Sequence, residues 1–318
     1  MDSKTNILVT VDVETYHAAG RPLPFETNVL GQVKGKEECG VSQIMKVCEE
    51  HGAKATFFVD VYEHHAFGEK PLAELCQRIN AGGHSVQLHA HPNWIPGRDR
   101  GLMKDYDLEA QRAIISEGRD LLKKWTGKAP VAFRAGAYGA NLDTIEALKD
   151  NGITKDSSFF SGNANCALCS QLGGKRANVS FKIGDVTEIP VTVYTMFDIP
   201  GWNKKSKIDI NACSLAELKS AFDKIMVFNR SSVNKLRNVV IFLHSFSFIK
   251  WNNSFTRAEV DDKIFKKFVE FIGYIKDRYS AESGFRKMEE CPEPGGEADY
   301  LPKLGMSELF ARFAGRLK

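Results

Sequence analysis

Asp12 and Glu14 stand two residues apart at the end of the apolar run ILVTVDVE, so on an extended strand their carboxylates face the same side. Such a pair can share a metal ion or divide the duties of base and ligand, although a polar start to an exposed loop would look the same. His89 and His91, in HAHP, repeat this i, i+2 geometry. Two neutral imidazoles beside a carboxylate suit Zn²⁺ or a similar borderline divalent ion, with one position left open for water. Arg134 is a permanent cation in FRAGAYG, where Gly136 and Gly139 flank Tyr138 and let the backbone approach a ligand; it can orient a carboxylate or serve as a structural ion-pair partner. His244 emerges from the run VVIFL, where an imidazole can act as acid or base or be a buried structural group. His84, after Gly82 and Gly83, reads as part of the turn into its strand.

These residues need elements to carry them. Short apolar or β-branched runs read as strands at Ile7–Val13, Ala55–Asp60, Ser85–Ala90, Val131–Arg134, Ile153–Ser158, Val186–Val193 and Asn238–His244, the continuous kind that parallel sheets bury on both faces. Helical periodicity falls between them at Ser42–Glu50, Pro71–Ala81, Leu108–Trp125, Leu142–Asn151 and Leu215–Asn229, with Glu259–Tyr279 after the last strand. This α/β alternation predicts one domain built either as a barrel or as an open doubly wound sheet. Both architectures place sites at the C-terminal ends of strands, and five of the seven predicted strands end in ionisable groups, Asp156 among them. The Lys- and Asn-rich stretch Gly201–Ser214 and the stretch Ser280–Pro302 read as loops, and Ser307–Leu317 as a small amphipathic helix docked on the core or on another subunit.

The chain has 318 residues, 43% hydrophobic and 26% charged, and its 43 basic and 40 acidic residues carry no dominant run of one sign, which argues against a polynucleotide partner. Its first residues lack an export signal and no apolar stretch is long enough to span a bilayer, so a soluble, cytoplasmic protein is expected. Seven cysteines, an odd number, fit reduced thiols better than a disulfide framework. Cys166 and Cys169 form the one CxxC, in a Gly/Asn/Ser-rich stretch that reads as an exposed loop and lacks a second pair to close a zinc site.

Taken in order, TVDVE (Thr10–Glu14), GHSVQLHAHP (Gly83–Pro92), FRAGAYG (Phe133–Gly139), KDSS (Lys155–Ser158) and FLHS (Phe242–Ser245) resemble the successive motifs of the polysaccharide deacetylases, the NodB-homology carbohydrate esterases. The resemblance spans about residues 6–250 and implies a distorted (β/α)7 TIM-like barrel, with residues 280–318 as a C-terminal extension of a single domain. It implies Asp12 as general base, Glu14 and His89 as metal ligands, and His244 as general acid. The family's second histidine usually follows the first by four residues, which would fall on Asn93; His91 is chosen because imidazole is the better zinc ligand, with Asn93 as the alternative. By the same resemblance Arg134 holds Asp12 ionised and oriented, the backbone amide of Tyr138 or of Ala137 binds the oxyanion, and Asp156 raises the pKa of His244.

The implied activity is metal-dependent hydrolysis, most readily with Zn²⁺, that releases acetate from an N-acetylated amino sugar. For a protein without an export signal, a nucleotide sugar, lipid-linked intermediate or short glycan of surface-polysaccharide or O-antigen biosynthesis is the expected substrate. Hydrolysis of another C–N bond, as in allantoin or a cyclic imide, and a non-catalytic glycan-binding barrel are the alternatives. Trp94, Tyr138, Trp202 and Trp251 are candidates for stacking on sugar faces.

Overall fold

A computed structural model describes residues 4–18, 21–199 and 202–305, so the expected terminal helix Ser307–Leu317 lies outside the described residues. The strands of the main sheet are β1 (Thr5–Val13), β2 (Thr56–Asp60), β3 (Ser85–Ala90), β4 (Ala132–Ala135), β5 (Lys155–Asp156), β6 (Phe181–Ile183), β7 (Val186–Glu188), β8 (Asn238–His244) and β9 (Ser283–Phe285). They run in the order β8-β1-β2-β3-β4-β5-β7-β6, with β9 pairing β1 as well. Every pairing is parallel except β6 with β7. All nine residues of β1 are buried, the pattern expected of a parallel strand covered on both faces.

The sheet curls into a half-barrel, and its opening beside β8 is filled by neighbouring backbone: Ile208 N–H donates to Thr192 O at 2.9 Å, and Phe242 N–H donates to Ile208 O at 2.9 Å. All seven strands expected from the sequence lie in this one sheet, whose end strands β8 and β6 do not pair with each other.

Helices α1 (Val41–Glu50), α2 (Glu69–Ala81), α3 (Leu108–Thr126), α4 (Leu142–Asp150), α5 (Leu215–Ser231) and α6 (Asp262–Tyr279) are the long ones. In α3, Asp107 caps the N-terminus by accepting Ala110 N–H, and Gly127 closes the C-terminus in the left-handed conformation (φ 75°) that glycine adopts without strain. Ile114, Ile115, Leu122 and Trp125 are buried on its inner face. Each is worth about 1.5–3 kcal/mol relative to exposure.

The sixth expected strand is much shorter than its apolar run, ending at Glu188. Pro190 has no N–H to continue the ladder, and a separate hairpin follows, Val193–Ile199 paired with Trp202–Lys207. The second arm of that hairpin occupies part of Gly201–Ser214, which therefore is not simply a loop. The expected strand Ile153–Ser158 contracts to Lys155–Asp156; just beyond it the Ser157 hydroxyl accepts from Arg134 Nη2 and the Ser158 hydroxyl accepts Ala135 N–H. The stretch Ser280–Pro302 includes β9 and lies along the sheet: Lys155 Nζ donates to the carbonyls of Met288, Glu289 and Cys291 at 3.3, 2.8 and 2.7 Å. Cys166 is buried and Cys169 half-buried at the short helix Ala167–Gln171, so the CxxC is packed rather than exposed.

Candidate active site

Sheet register assembles the site. Asp12 pairs with His244 across β1 and β8, and Asp60, His89 and Arg134 align across β2, β3 and β4, so the reactive side chains share the C-terminal rim. Beyond β1, Ser245 fastens the turn: its N–H donates to Asp12 O at 2.9 Å and its hydroxyl to Glu14 O at 2.9 Å.

Glu14 is the hub. Its Oε2 lies 3.0 Å from His89 Nε2 and 2.9 Å from His91 Nε2, and its Oε1 lies 3.4 Å from His244 Nε2. Burial would raise the Glu14 pKa, but the attraction of His91 and hydrogen bonds from both histidines carry it well below the usual carboxylate range. His89 Nδ1 lies 2.8 Å from Arg134 O, a backbone acceptor, so this nitrogen carries a proton and Nε2 is the nitrogen presented to Glu14. Burial opposes charge on His89, but Asp12 and Glu14 raise its pKa, so the position between Nε2 and Glu14 favours a cation, whether a proton or a metal ion. Two further buried carboxyls stand behind Glu14. Asp60 is raised well above the usual range by burial, Glu63 and Glu14, and Glu63, which accepts Thr15 N–H, is pushed up to about 8, chiefly by burial. The donor set of Glu14, His89 and His91 fits a borderline divalent ion. Asn93 is exposed on the turn Pro92–Trp94, where it faces Gly101, whereas His91 joins the cluster. Gly136 makes room for it, since a Cβ there would sit 2.5 Å from His91 Nδ1.

Arg134 is fully buried and every arm of its guanidinium is used. Nη1 donates to Asp12 Oδ1 at 2.7 Å and to Thr10 Oγ1 at 3.1 Å, Nη2 donates to Thr10 Oγ1 and Ser157 Oγ, and Nε donates to Ser157 O at 3.2 Å. The plane stacks over Phe58 at 4.3 Å. Such a fork holds one carboxylate oxygen of Asp12 in one place. Ala137 and Tyr138 follow with φ 48° and 62°, left-handed conformations that non-glycine residues adopt at a cost of order 1–3 kcal/mol each. The turn is pinned by Lys104 N–H donating to Gly139 O and by Asn165 Nδ2 donating to Ala137 O.

The expected partnership of Asp156 with His244 is corrected by the structure. Asp156 accepts the Ser158 hydroxyl at 2.6 Å and shares its buried pocket with Glu188, and burial drives both pKa values up. The acids that bear on His244 are Glu14, Asp12 and Asp209, and its pKa is lowered, not raised, because burial outweighs them and Lys207 adds repulsion. Asp156 instead braces the scaffold, since Ser158 Oγ also accepts Ala135 N–H beside Arg134.

Sequence reasoning missed Lys207 and Asp209, whose stretch reads as polar loop. Lys207 Nζ donates to Tyr138 Oη at 2.8 Å, lies 3.4 Å from Asp209 Oδ2 and sits 3.0 Å over the Phe242 ring. Burial, only partly offset by Asp209 and Asp12, brings its pKa down to about 8. Phe246, stacked on His244 with centroids 4.6 Å apart, adjoins the half-exposed Tyr16, which also leans on Phe255. Trp94 is half-buried and packs 5.9 Å from Phe67, and Trp251 donates to Asn28 Oδ1; the Trp202 side chain lies outside the described residues.

Residues 31–155 match the family model described as polysaccharide deacetylase. Among solved structures the chain is similar to a presumed polysaccharide deacetylase from Mycobacterium smegmatis, at 16% identity and TM-score 0.54, covering 94% of this chain and 96% of that one. It is also similar to Puue allantoinase, at 14% identity and TM-score 0.58, covering 90% of this chain and 88% of that one. No curated protein matches the sequence. The fold is the curled half-barrel of the NodB-type deacetylases. His89, His91 and Arg134 fall inside the family match, while Asp12, Glu14 and His244 lie outside it and reach the same cluster through the sheet.

Proposed function

From the match of residues 31–155 to the polysaccharide deacetylase model, we propose that this protein is a metal-dependent hydrolase that removes the acetyl group from an N-acetylated amino sugar or polysaccharide precursor. The observation that carries this reading is the pair of imidazole nitrogens aimed at one Glu14 oxygen beside the fixed Arg134–Asp12 pair. Glu14, His89 and His91 hold the ion, most readily Zn²⁺, which when bound acidifies water and polarises the acetyl carbonyl. Asp12, oriented by Arg134, takes the proton from the attacking water. The backbone amides of the strained Ala137–Tyr138 turn face the developing negative charge. His244 delivers a proton to the departing amine, which leaves poorly unprotonated. Tyr16, on the rim beside Phe246, offers an exposed aromatic face to a sugar ring.

Acetate release from a panel of N-acetylated sugars and nucleotide sugars tests the reading. Allantoin belongs in the same panel, because allantoin turnover without acetate release would replace this reading with hydrolysis of another C–N bond.

The pH dependence follows from the direction of the His244 shift. Burial lowers its pKa below the usual value near 6.5, so the charged, proton-donating form declines as pH rises through that lower value. The rate is therefore expected to fall on the alkaline side with a midpoint below about 6.5, and His244→Gln is expected to lose that limb as well as rate. A limb of the same shape and position in the Gln variant would remove His244 from the role.

A further inference from the structure

His64 and His65 follow Glu63 on the turn leaving β2, but face the other way, towards α3. Glu63 points inward to Thr15 behind the Glu14 cluster, whereas His65 Nε2 lies 3.6 Å from Glu117 Oε1 on α3. The two imidazoles pack ring on ring with centroids 3.9 Å apart and 37° between planes, an arrangement that disfavours charging both. His64 Nδ1 lies 2.9 Å from Val61 O, so this nitrogen donates to the backbone and Nε2 is the nitrogen left to face a ligand. One ligand atom from each of His64, His65 and Glu117 lies within 4.8 Å of the others.

We propose that His64, His65 and Glu117 form a second cation site, separate from the Glu14 cluster, that takes a borderline divalent ion such as Zn²⁺, Co²⁺ or Ni²⁺. Two neutral imidazoles and one carboxylate are a donor set for such ions, and an orienting hydrogen bond on the far nitrogen of a ligand histidine is the usual support. Burial followed by the neighbouring His64 lowers the His65 pKa, which favours the unprotonated ring that a metal needs. Both Glu117 and His65 are exposed, so their side chains can close around an ion without disturbing the core. A bound ion would tie the turn after β2 to α3.

Equilibrium dialysis against Zn²⁺ alone, read as ions per chain, tests the site in four proteins. Wild type is expected to hold two ions, His65→Ala/Glu117→Gln one, His89→Ala one, and the combination none. The His65→Ala/Glu117→Gln protein is also expected to lose the part of the Zn²⁺-induced rise in Tm that His89→Ala retains. Undiminished zinc in the His65→Ala/Glu117→Gln protein overturns the proposal. Failure of the catalytic reading would show differently, as no loss of zinc on His89→Ala.

Discussion

Replacing Asp12 by Asn is expected to lower kcat for acetate release by about 10²–10⁴-fold, the range for a lost general base, while KM and metal content stay near wild type. The amide keeps the size of the carboxylate and can still accept the Arg134 hydrogen bond at the position now 2.7 Å from Nη1, but it cannot take a proton from water. Asp12 is almost fully buried and is not one of the cluster of three cation donors, so the substitution separates base chemistry from metal binding. Steady-state kinetics with metal analysis on the same preparation checks it. Retained kcat with full metal would transfer the base role to another group.

The second large effect is on stability. Arg134→Met is expected to destabilise the fold by about 3–5 kcal/mol, because one partner of a fully buried ion pair is removed and the other is left uncompensated. More than Asp12 is stranded: Thr10 Oγ1, Ser157 Oγ and Ser157 O all lose a donor, and the Phe58 ring loses the guanidinium above it. Urea unfolding of the two proteins measures the difference. A loss below about 1 kcal/mol would mean that the guanidinium network contributes little beyond its desolvation cost.

Strand identity was legible because parallel strands buried on both faces advertise themselves as continuous apolar runs, and β1 and β8 are the clearest. Reactive groups at their ends were legible for the same reason, since a polar residue closing such a run has few structural excuses. What local sequence does not contain is the partner of each group. Asp156 follows a strand end as the other acids do, yet its pocket is shared with Glu188, thirty-two residues further on and visible only through the β5–β7 pairing. Lys207 and Asp209 sit in a polar stretch without apolar periodicity, and it is the hairpin Val193–Lys207 that folds Lys207 over Phe242 and Tyr138, with Asp209 in a backbone bridge to Phe242. Pro190 is a stop signal that the sequence carries inside the sixth expected strand, between the β-branched Ile189 and Val191. The role of Ser245 depends on β1 lying beside β8, a register that the FLHS motif alone does not reveal.

The central claim is that Glu14, His89 and His91 hold a catalytic divalent ion. The most direct test is metal content at the Glu14 cluster, measured for wild type, His89→Ala and His91→Ala beside acetate release from N-acetylated sugars. Each substitution is expected to remove one ion per chain together with acetate release, leaving any ion held by His65 and Glu117 in place. Acetate release that survives in both variants, or wild type that turns over with no divalent ion after exhaustive chelation, would contradict the account.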